Sequence, residues 1–226
     1  MALVCVVIPV FNEDLSTLSA VIRSLIPLGY ELVVIDDGSK INFERVLRDI
    51  PVAVLTHSLN LGQGASIQTG LDYARKIDCD FVVTFDGDGQ HQAADIGKLL
   101  APLITNQADV ALGSRFIEGS YHNASFGRQM IFKLARQVNQ FLFKIPFSDT
   151  HNGLRAFNRF ALEKVSITEN RMAHASEILS QIVKQKLRAV EVPVQVQYTK
   201  YSRKKGQGVL DGIKIFFDLF LYKIFR

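Results

Sequence analysis

The 226-residue sequence contains no tryptophan and only two cysteines, Cys5 and Cys79. Two thiols are too few for a disulfide framework or a cysteine-rich zinc site, so we expect a reducing, cytosolic setting. The sequence lacks any window of about 18 to 20 uninterrupted apolar residues, so no transmembrane helix is predicted. Its apolar start is short and has no basic leader, so no signal peptide is expected. The absence of a G-x-x-x-x-G-K-S/T segment excludes a P-loop NTPase.

Charge of one sign is not in large excess either. Lysine and arginine number 26 against 22 aspartate and glutamate residues, which gives a formal charge of +4. The basic residues form no stripe interleaved with aromatic residues, so nucleic-acid binding is not expected. Because 48% of the residues are hydrophobic, the chain can bury a full core, which excludes a disordered protein.

Strand-like apolar runs alternate with helical periodicity through the first half of the sequence. The runs predict strands over residues 3–8, 31–35, 52–56, 81–85 and 109–112. Apolar residues at helical spacing predict helices over 15–26, 63–76 and 93–104, the first of them capped by Asn12 or Asp14. This alternation predicts an α/β fold with a mostly parallel sheet flanked by helices, whose ligands bind at the carboxyl ends of the strands.

The regular alternation of predicted strands and helices changes in the second half of the sequence. This half predicts a long amphipathic helix over 128–147, a strand over 152–158, a helix over 173–186, a strand over 189–196 and a last amphipathic helix over 209–226. No linker rich in proline, glycine or serine separates the halves, and no internal repeat occurs. We therefore predict a single domain over residues 1–226.

Acidic residues cluster where three of the predicted strands end. Glu13 follows the first strand, Asp36 and Asp37 end the second, and Asp86 and Asp88 follow the fourth. In a parallel sheet these ends share one edge, so the carboxylates converge and repel one another. A hard divalent cation, Mg²⁺ or Mn²⁺, relieves that repulsion and keeps open positions for phosphate oxygens. A D-x-D segment alone is also common in solvated turns.

Five segments in this order carry a resemblance to a known family. They are Pro9-Val-Phe-Asn-Glu13, Val34-Ile-Asp-Asp-Gly-Ser39, Asn60-Leu-Gly-Gln-Gly64, Asp86-Gly-Asp-Gly-Gln-His91 and Gly113-Ser-Arg115. Together they resemble the family 2 glycosyltransferases of GT-A fold, within the branch of polyprenyl-phosphate sugar transferases related to dolichol-phosphate mannose synthase. The resemblance covers roughly residues 3–205. It implies a nucleotide-sugar half over 3–114, an acceptor half over 115–205 and a C-terminal amphipathic helix over 206–226.

The resemblance also implies roles for individual residues around the sugar donor. The residues implied to bind the nucleotide sugar, a UDP- or GDP-hexose, are Pro9, Phe11, Glu13, Asp36, Gly62 and Asp86. Asp86 and Asp88 are implied to be catalytic, and Asp88 and Gln90 to hold Mg²⁺ or Mn²⁺. Asp37 and the glycines at 62 and 64 have ordinary structural readings, as a turn residue and a glycine-rich helix start. The family often has a lysine where Gln63 stands.

The acceptor half is rich in cations. A phosphate acceptor is already an anionic nucleophile, so it needs positive charge rather than a base. The residues expected to hold its phosphate are Arg115, Arg128, Arg155 and Arg203. Arg155 has an alternative role as a structural partner of Asp149. Glu177 is the candidate catalytic base if the acceptor is instead a saccharide hydroxyl.

These features predict a metal-dependent, inverting glycosyltransferase that moves a hexose to a polyprenyl phosphate. The two basic amphipathic helices favour a cytoplasmic protein peripheral on the inner face of the membrane, with a small membrane subunit as a further partner. For each helix taken singly, ordinary core packing is the favoured explanation. The alternatives are transfer to a saccharide hydroxyl in cell-surface polysaccharide synthesis, and a non-catalytic nucleotide-binding subunit. A sugar nucleotidyltransferase is disfavoured because the segment after the first strand has no basic glycine-rich loop.

Overall fold

The computed structural model describes residues 2–124, 129–130, 137, 146–171 and 173–198. Three sequence predictions lie outside these residues: Arg128, Arg203 and the helix over 209–226. Most of the predicted helix over 128–147 also lies outside them.

Nine strands occur in the described residues. They are β1 (Val4–Val10), β2 (Glu31–Asp36), β3 (Ala53–Thr56), β4 (Phe81–Thr84), β5 (Val110–Ser114), β6 (Tyr121–His122), β7 (Arg155–Asn158), β8 (Ala189–Pro193) and β9 (Gln195–Val196). Seven of them form one mixed sheet in the order β3-β2-β1-β4-β7-β5-β8, and β6 pairs with β9. Only β7 runs antiparallel to its neighbours in the large sheet. This mostly parallel sheet confirms the predicted fold class.

Six α-helices flank the sheet in the described part of the chain. They are α1 (Leu15–Leu25), α2 (Phe43–Val46), α3 (Gln63–Lys76), α4 (Asp95–Ile104), α5 (Arg159–Lys164) and α6 (His174–Lys184). The α3 bounds match the prediction residue for residue. Of the two predicted caps for α1, the structure uses Asp14, whose side chain accepts a hydrogen bond from Thr17 N at 2.9 Å. The short helix α2 was not predicted.

The alternation of side chains along β1 divides the core into two layers. Val6 and Ile8 face the layer that contains Leu18 of α1. Val7 faces the opposite layer, which contains Leu71 of α3 and Ile178 of α6. Because both faces of β1 are buried by helices, its sequence is apolar throughout instead of alternating. No helix among the described residues has the length and apolar character needed to cross a membrane.

Two helical glycines provide a matched test of this packing. A Cβ added at Gly70 in α3 would lie 2.0 Å from Val7 Cγ1, whereas one at Gly97 in α4 would meet nothing within 4 Å. Gly70→Ala is therefore expected to lower the free energy of unfolding by about 1–3 kcal/mol through overpacking. Gly97→Ala is expected to leave it unchanged or raise it by up to about 1 kcal/mol. Urea denaturation checks both variants, and equal effects would contradict the packing of α3 on β1.

Candidate active site

Three polar strand ends lie together at one edge of the sheet. Val10 of β1 is in parallel register with Asp36 of β2. On the other side of β1, Val7 is in register with Thr84, and Phe85 N donates to Val7 O at 2.9 Å. The segments that follow β1, β2 and β4 therefore leave the sheet on the same side, as the sequence pattern predicts.

Asp36, the last residue of β2, and Asp37, which follows it, have different structural roles. Asp36 is buried and its Oδ1 accepts a hydrogen bond from Ser39 N at 3.0 Å, which closes the turn. Asp37 reaches across to the segment before α3, where its carboxylate accepts from Asn60 Nδ2, Leu61 N and Gly62 N at 2.7–2.9 Å. His57 Nδ1 lies 2.8 Å from Asp37 Oδ1. Asp37 thus has the structural role that the sequence favoured, because it fixes the start of α3 relative to β2.

The carboxylate of Asp86 is held from three sides. Gln63 Nε2, at the start of α3, donates to Asp86 Oδ1 at 3.0 Å. His91 Nε2 lies 3.2 Å from Asp86 Oδ2. Behind the carboxylate is Gly153, where an added Cβ would lie 2.2 Å from Oδ2. These contacts come from separate elements, so the orientation of Asp86 depends on how the whole sheet edge is assembled.

Asp86 and Asp88 respond differently to their surroundings. Burial alone would raise the pKa of Asp86, but the His91 hydrogen bond and the nearby His91, His174 and Arg155 outweigh it and lower the pKa. Burial, followed by the negative charge of Asp86, raises the pKa of Asp88 above its ordinary value. The two carboxylates therefore repel each other across the site, and this repulsion adds to burial in raising the pKa of Asp88.

The donor atoms around Asp88 fit a hard divalent cation. Gln90 N donates to Asp88 Oδ1 at 3.0 Å, and Gln90 Nε2 contacts Asp88 Oδ2. A cation would take the place of that contact and would relieve the repulsion from Asp86. Within the described part of the chain, no three His, Cys, Asp or Glu side chains are grouped to enclose a metal. Mg²⁺ or Mn²⁺ beside Asp88 would be held by one or two carboxylates, with substrate phosphates completing its coordination.

His91 is a site residue that the sequence analysis did not include. Its ring is buried, makes an edge contact with Phe85 at 5.8 Å between ring centroids, and holds Asp86. Its backbone forms a β-bridge with Val196, and Gln90 O accepts from Gln197 N at 2.9 Å. The only sequence signal for this role is the position of His91 directly after Asp86-Gly-Asp-Gly-Gln90.

The N–H groups at the start of α3 bind groups of the chain itself. Gly62 N donates to Asp37 Oδ2, and Gly64 N and Ala65 N donate to Asn170 O at 2.8 and 3.3 Å. The glycines are needed for close approach, because a Cβ at Gly62 would lie 2.3 Å from Asn170 O. A protein carbonyl therefore occupies this helix start. The assignment of Gly62 to nucleotide-sugar binding stays a prediction.

The remaining predicted donor residues lie around the end of β1. Pro9 is half-buried within β1, and Glu13 is buried directly before α1. Phe11, which follows β1 directly, is 40% exposed. Their roles toward a nucleotide stay predictions that the positions of the side chains at this edge support.

Among the predicted phosphate-binding arginines, Arg115 makes a buried structural ion pair. Its guanidinium donates to both oxygens of Asp149 at 2.6–2.7 Å, and its Nη1 donates to Tyr198 Oη at 2.6 Å. Burial favours the neutral form, but Asp149 outweighs it and raises the pKa of Arg115. Arg115, not Arg155, is therefore the partner of Asp149, which corrects the alternative considered for Arg155.

Arg155 is buried and pairs differently. Its guanidinium donates to the carbonyl oxygens of Asn152, Thr150 and Ala175 at 3.1–3.4 Å. No carboxylate of the described residues forms an ion pair with it. Burial lowers the pKa of Arg155 to about 10, although Asp149 and Asp86 oppose that shift. Its charge is therefore balanced only at longer range, which suits a group that meets an anion.

Two further histidines, His151 and His174, lie near Arg155 and were missed by the sequence analysis. Burial lowers the pKa of both His151 and His174 to about 4, so both rings are neutral at pH 7. His174 Nδ1 lies 2.6 Å from Arg171 O, so this nitrogen carries the proton. The histidine charges therefore do not add to that of Arg155. No sequence pattern signals this, because the two residues lie on different elements.

The predicted catalytic residue Glu177 is in the first turn of α6 and turned toward a loop. Its carboxylate accepts from Thr168 N at 3.1 Å, Thr168 Oγ1 at 2.6 Å and Glu169 N at 2.9 Å. Gln181 Nε2 contacts it at 3.4 Å. Both carboxylate oxygens are thus engaged within the chain. The role of Glu177 as a base stays a prediction, and its contacts do not favour it.

Comparisons with known proteins agree on one class of protein. A family model described as "Glycosyl transferase family 2" matches residues 5–166. The UDP-N-acetylglucosamine--dolichyl-phosphate N-acetylglucosaminyltransferase of Methanococcus voltae is 30% identical over 98% of this chain and 96% of its own length. The polyprenol monophosphomannose synthase of Mycolicibacterium smegmatis is 26% identical over 93% of this chain and 82% of its own.

Solved structures extend the agreement to the fold. The glucosyl-3-phosphoglycerate synthase of Mycobacterium tuberculosis, solved with Mn²⁺, UDP and glucosyl-3-phosphoglycerate, aligns with a TM-score of 0.70. It is 21% identical, and the alignment covers 94% of this chain and 75% of that one. At this identity the likeness shows the fold alone, which is the GT-A fold that the sequence motifs predict.

The contact between Gly153 and Asp86 gives a test of the site that removes no functional group. Gly153→Ala would push the Asp86 carboxylate out of its place, because the new Cβ would overlap it. A displacement of about 1 Å can cost roughly 100-fold in rate, whereas the flexible carboxylate limits the loss of stability. We expect turnover to collapse while the melting temperature changes little. Gly97→Ala is the control, and normal turnover in Gly153→Ala would contradict the placement of Asp86.

Proposed function

We propose, on the premise that this chain belongs to glycosyl transferase family 2, that it is an inverting, metal-dependent enzyme that transfers a hexose from a UDP- or GDP-sugar to a polyprenyl phosphate. The observation that carries the proposal is the Asp86 carboxylate. It is fixed between Gln63 and His91, adjoins Asp88 and lies within electrostatic range of the buried Arg155. A carboxylate pair and a buried cation at one sheet edge suit a donor diphosphate and an anionic acceptor.

The donor half of the proposal rests on the edge formed by β1, β2 and β4. Asp36 presents a buried carboxylate for a base N–H or a ribose hydroxyl, and Phe11, which is 40% exposed, would contact the base or sugar. Asp86 is oriented toward the sugar or ribose, and Asp88 and Gln90 would hold the cation. When bound, a divalent cation at this place neutralises charge on the leaving diphosphate.

The acceptor half of the proposal rests on Arg155. Its guanidinium is held by carbonyl oxygens and has no ion-pair partner in the described residues, so an incoming phosphate would supply the missing negative charge. Arg115 is less suited to that contact, because Asp149 already occupies its guanidinium on two sides. We infer that Arg115 shapes the acceptor side and that Arg155 contacts the phosphate. The names of the relatives, which specify dolichyl phosphate or polyprenol products, support this class of acceptor.

The engaged carboxylate of Glu177 supports a phosphate acceptor over a hydroxyl acceptor. A hydroxyl nucleophile needs a base within hydrogen-bond reach, but Glu177 is committed to Thr168 and Glu169. A phosphate oxygen is already deprotonated and needs only to be oriented. In the proposed step it attacks the anomeric carbon opposite the diphosphate. The bond from that carbon to the diphosphate oxygen breaks, the electron pair leaves with the nucleoside diphosphate, and the configuration inverts.

Because the proposed acceptor is a lipid, we also propose that the enzyme acts as a cytoplasmic protein on the inner face of a membrane. The described residues contain no helix that could cross it. The two basic amphipathic helices expected to contact the surface, at 128–147 and 209–226, lie largely outside the described residues. A membrane subunit as a further partner stays a prediction.

Asp88→Asn tests the metal-dependent chemistry. We expect at least roughly a 100-fold loss of transfer in Mg²⁺ or Mn²⁺, because charge on the leaving diphosphate is no longer offset. The melting temperature should hold or rise, because the substitution removes repulsion between Asp88 and Asp86. Glu163→Gln, at an exposed position of α5, is the control. Metal-stimulated transfer at the normal rate in Asp88→Asn would contradict the assignment.

A matched pair of acceptors tests the acceptor class. Transfer is measured to a polyprenyl phosphate and to the polyprenol of the same chain length, with UDP- and GDP-sugars ranked beforehand by thermal shift in each metal. We expect product only from the phosphate, because the alcohol offers neither negative charge nor a deprotonated oxygen. Product from the alcohol or from a saccharide would favour the hydroxyl-acceptor alternative. Nucleotide binding without any transfer or donor hydrolysis would favour a non-catalytic subunit.

A further inference from the structure

The loop between α5 and α6, residues 166–170, is held by side chains at almost every step. Ile167 N donates to Gln68 Oε1 at 2.7 Å, and Ser166 N donates to Gln181 Oε1 at 3.0 Å. Thr168 N and Glu169 N both donate to Glu177. Four successive N–H groups are therefore satisfied by three side chains from α3 and α6. These hydrogen bonds hold the backbone of the loop in a single conformation.

Glu177 makes the largest share of these contacts. Its Oε1 accepts from Thr168 Oγ1 at 2.6 Å, its Oε2 accepts from Glu169 N at 2.9 Å, and Thr168 N lies 3.1 Å from both oxygens. Hydrogen bonds to an ionised acceptor are shorter and stronger than those between neutral groups. The carboxylate therefore sets the position of the last part of the loop.

The end of the loop docks on the start of α3. Asn170 O accepts from Gly64 N at 2.8 Å and from Ala65 N at 3.3 Å. A Cβ at Gly64 would lie 1.9 Å from Glu169 O, so only glycine allows this approach. The loop carbonyl thereby caps the first turn of α3 in place of a side chain.

The capped turn carries the residue that holds Asp86. Gln63 is the first residue of α3, and its Nε2 donates to Asp86 Oδ1 at 3.0 Å. A continuous set of hydrogen bonds therefore runs from Glu177 to the 166–170 loop, from the loop to the first turn of α3, and from Gln63 to Asp86.

We propose that Glu177 is a positioning residue: through the 166–170 loop and the first turn of α3, it fixes Gln63 and thereby the orientation of Asp86. The proposal rests on the proposed glycosyl transfer, because the function of Asp86 is taken from it. It assigns Glu177 and Gln63 to a single unit. Glu177 then takes no proton from the acceptor.

A double-mutant cycle on transfer activity tests the proposal. The variants are Glu177→Ala, Gln63→Met and the double variant, with Glu177→Gln as the conservative change and Glu163→Gln as the exposed control. If two residues act through the same carboxylate, the fold-losses in rate from their single substitutions do not multiply in the double variant. If the residues act independently, the two fold-losses multiply. We expect each single variant to lose roughly tenfold in kcat, and the double variant to lose no more than the worse single variant.

The conservative variant and the pH profile separate positioning from base catalysis. Glu177→Gln keeps one acceptor oxygen for the loop, so it should retain more activity than Glu177→Ala, with the same pH profile as the unsubstituted enzyme. Loss of a base costs on the order of 10²–10⁴-fold in rate, and Gln cannot replace it. Equal collapse of both Glu177 variants, effects that multiply with Gln63→Met, or normal activity in Glu177→Ala would each overturn the proposal.

Hydrogen exchange supplies a measurement that does not depend on activity. The amides of Gly64 and Ala65 should lose protection in Glu177→Ala and keep it in Glu163→Gln, because only the first change releases Asn170. Unchanged protection would overturn the proposal even in an active enzyme. If the unsubstituted chain transfers no sugar, the proposed function fails, and the exchange result still decides whether Glu177 holds the loop. If Glu177→Ala does not fold, Thr168→Val, which removes the hydroxyl bond to Glu177, carries the same comparison.

Discussion

The active-site edge of this protein depends on how one carboxylate is held. Asp86 follows a central strand and touches Gln63, His91 and Gly153, which come from three separate segments of the chain. Each contact constrains a different part of the side chain, so the carboxylate has a fixed direction without an ion pair to an arginine or lysine in the described residues. A carboxylate oriented in this way can accept hydrogen bonds from the hydroxyl groups of a bound nucleotide sugar with little reorganisation.

The electrostatics of the site follow from the same crowding. Asp86 and Asp88 repel each other, which raises the pKa of Asp88. A cation bound beside Asp88 would offset this repulsion. The neighbouring basic groups contribute little net positive charge. Burial keeps His151 and His174 neutral, and Arg115 forms an ion pair with Asp149. Arg155 is left as the buried cation whose charge is balanced only at a distance. The site thus combines a carboxylate pair with a buried guanidinium, which suits the proposed transfer from a diphosphate to a phosphate.

The sequence predicted the periodic parts of this structure well. The bounds of α3 were correct, Asp14 was one of two predicted caps, and the strand ends meet where a parallel sheet puts them. It did not predict that β7 lies antiparallel between β4 and β5, or that Arg115 pairs with Asp149, 34 residues away. Contacts of this kind join distant segments and leave no periodicity in the sequence. For the same reason, the sequence could offer Glu177 as a base for a hydroxyl acceptor but could not predict its contacts to the 166–170 loop.

Diffraction from crystals grown with Mn²⁺ and a nucleoside diphosphate tests the central claim most directly, because the anomalous signal of manganese locates the ion independently of the surrounding density. The account predicts one strong anomalous peak in contact with the Asp88 carboxylate and the diphosphate, with Asp86 still between Gln63 and His91. Bound nucleotide with no ion near Asp88, or Asp86 and Asp88 both turned to solvent, would contradict it.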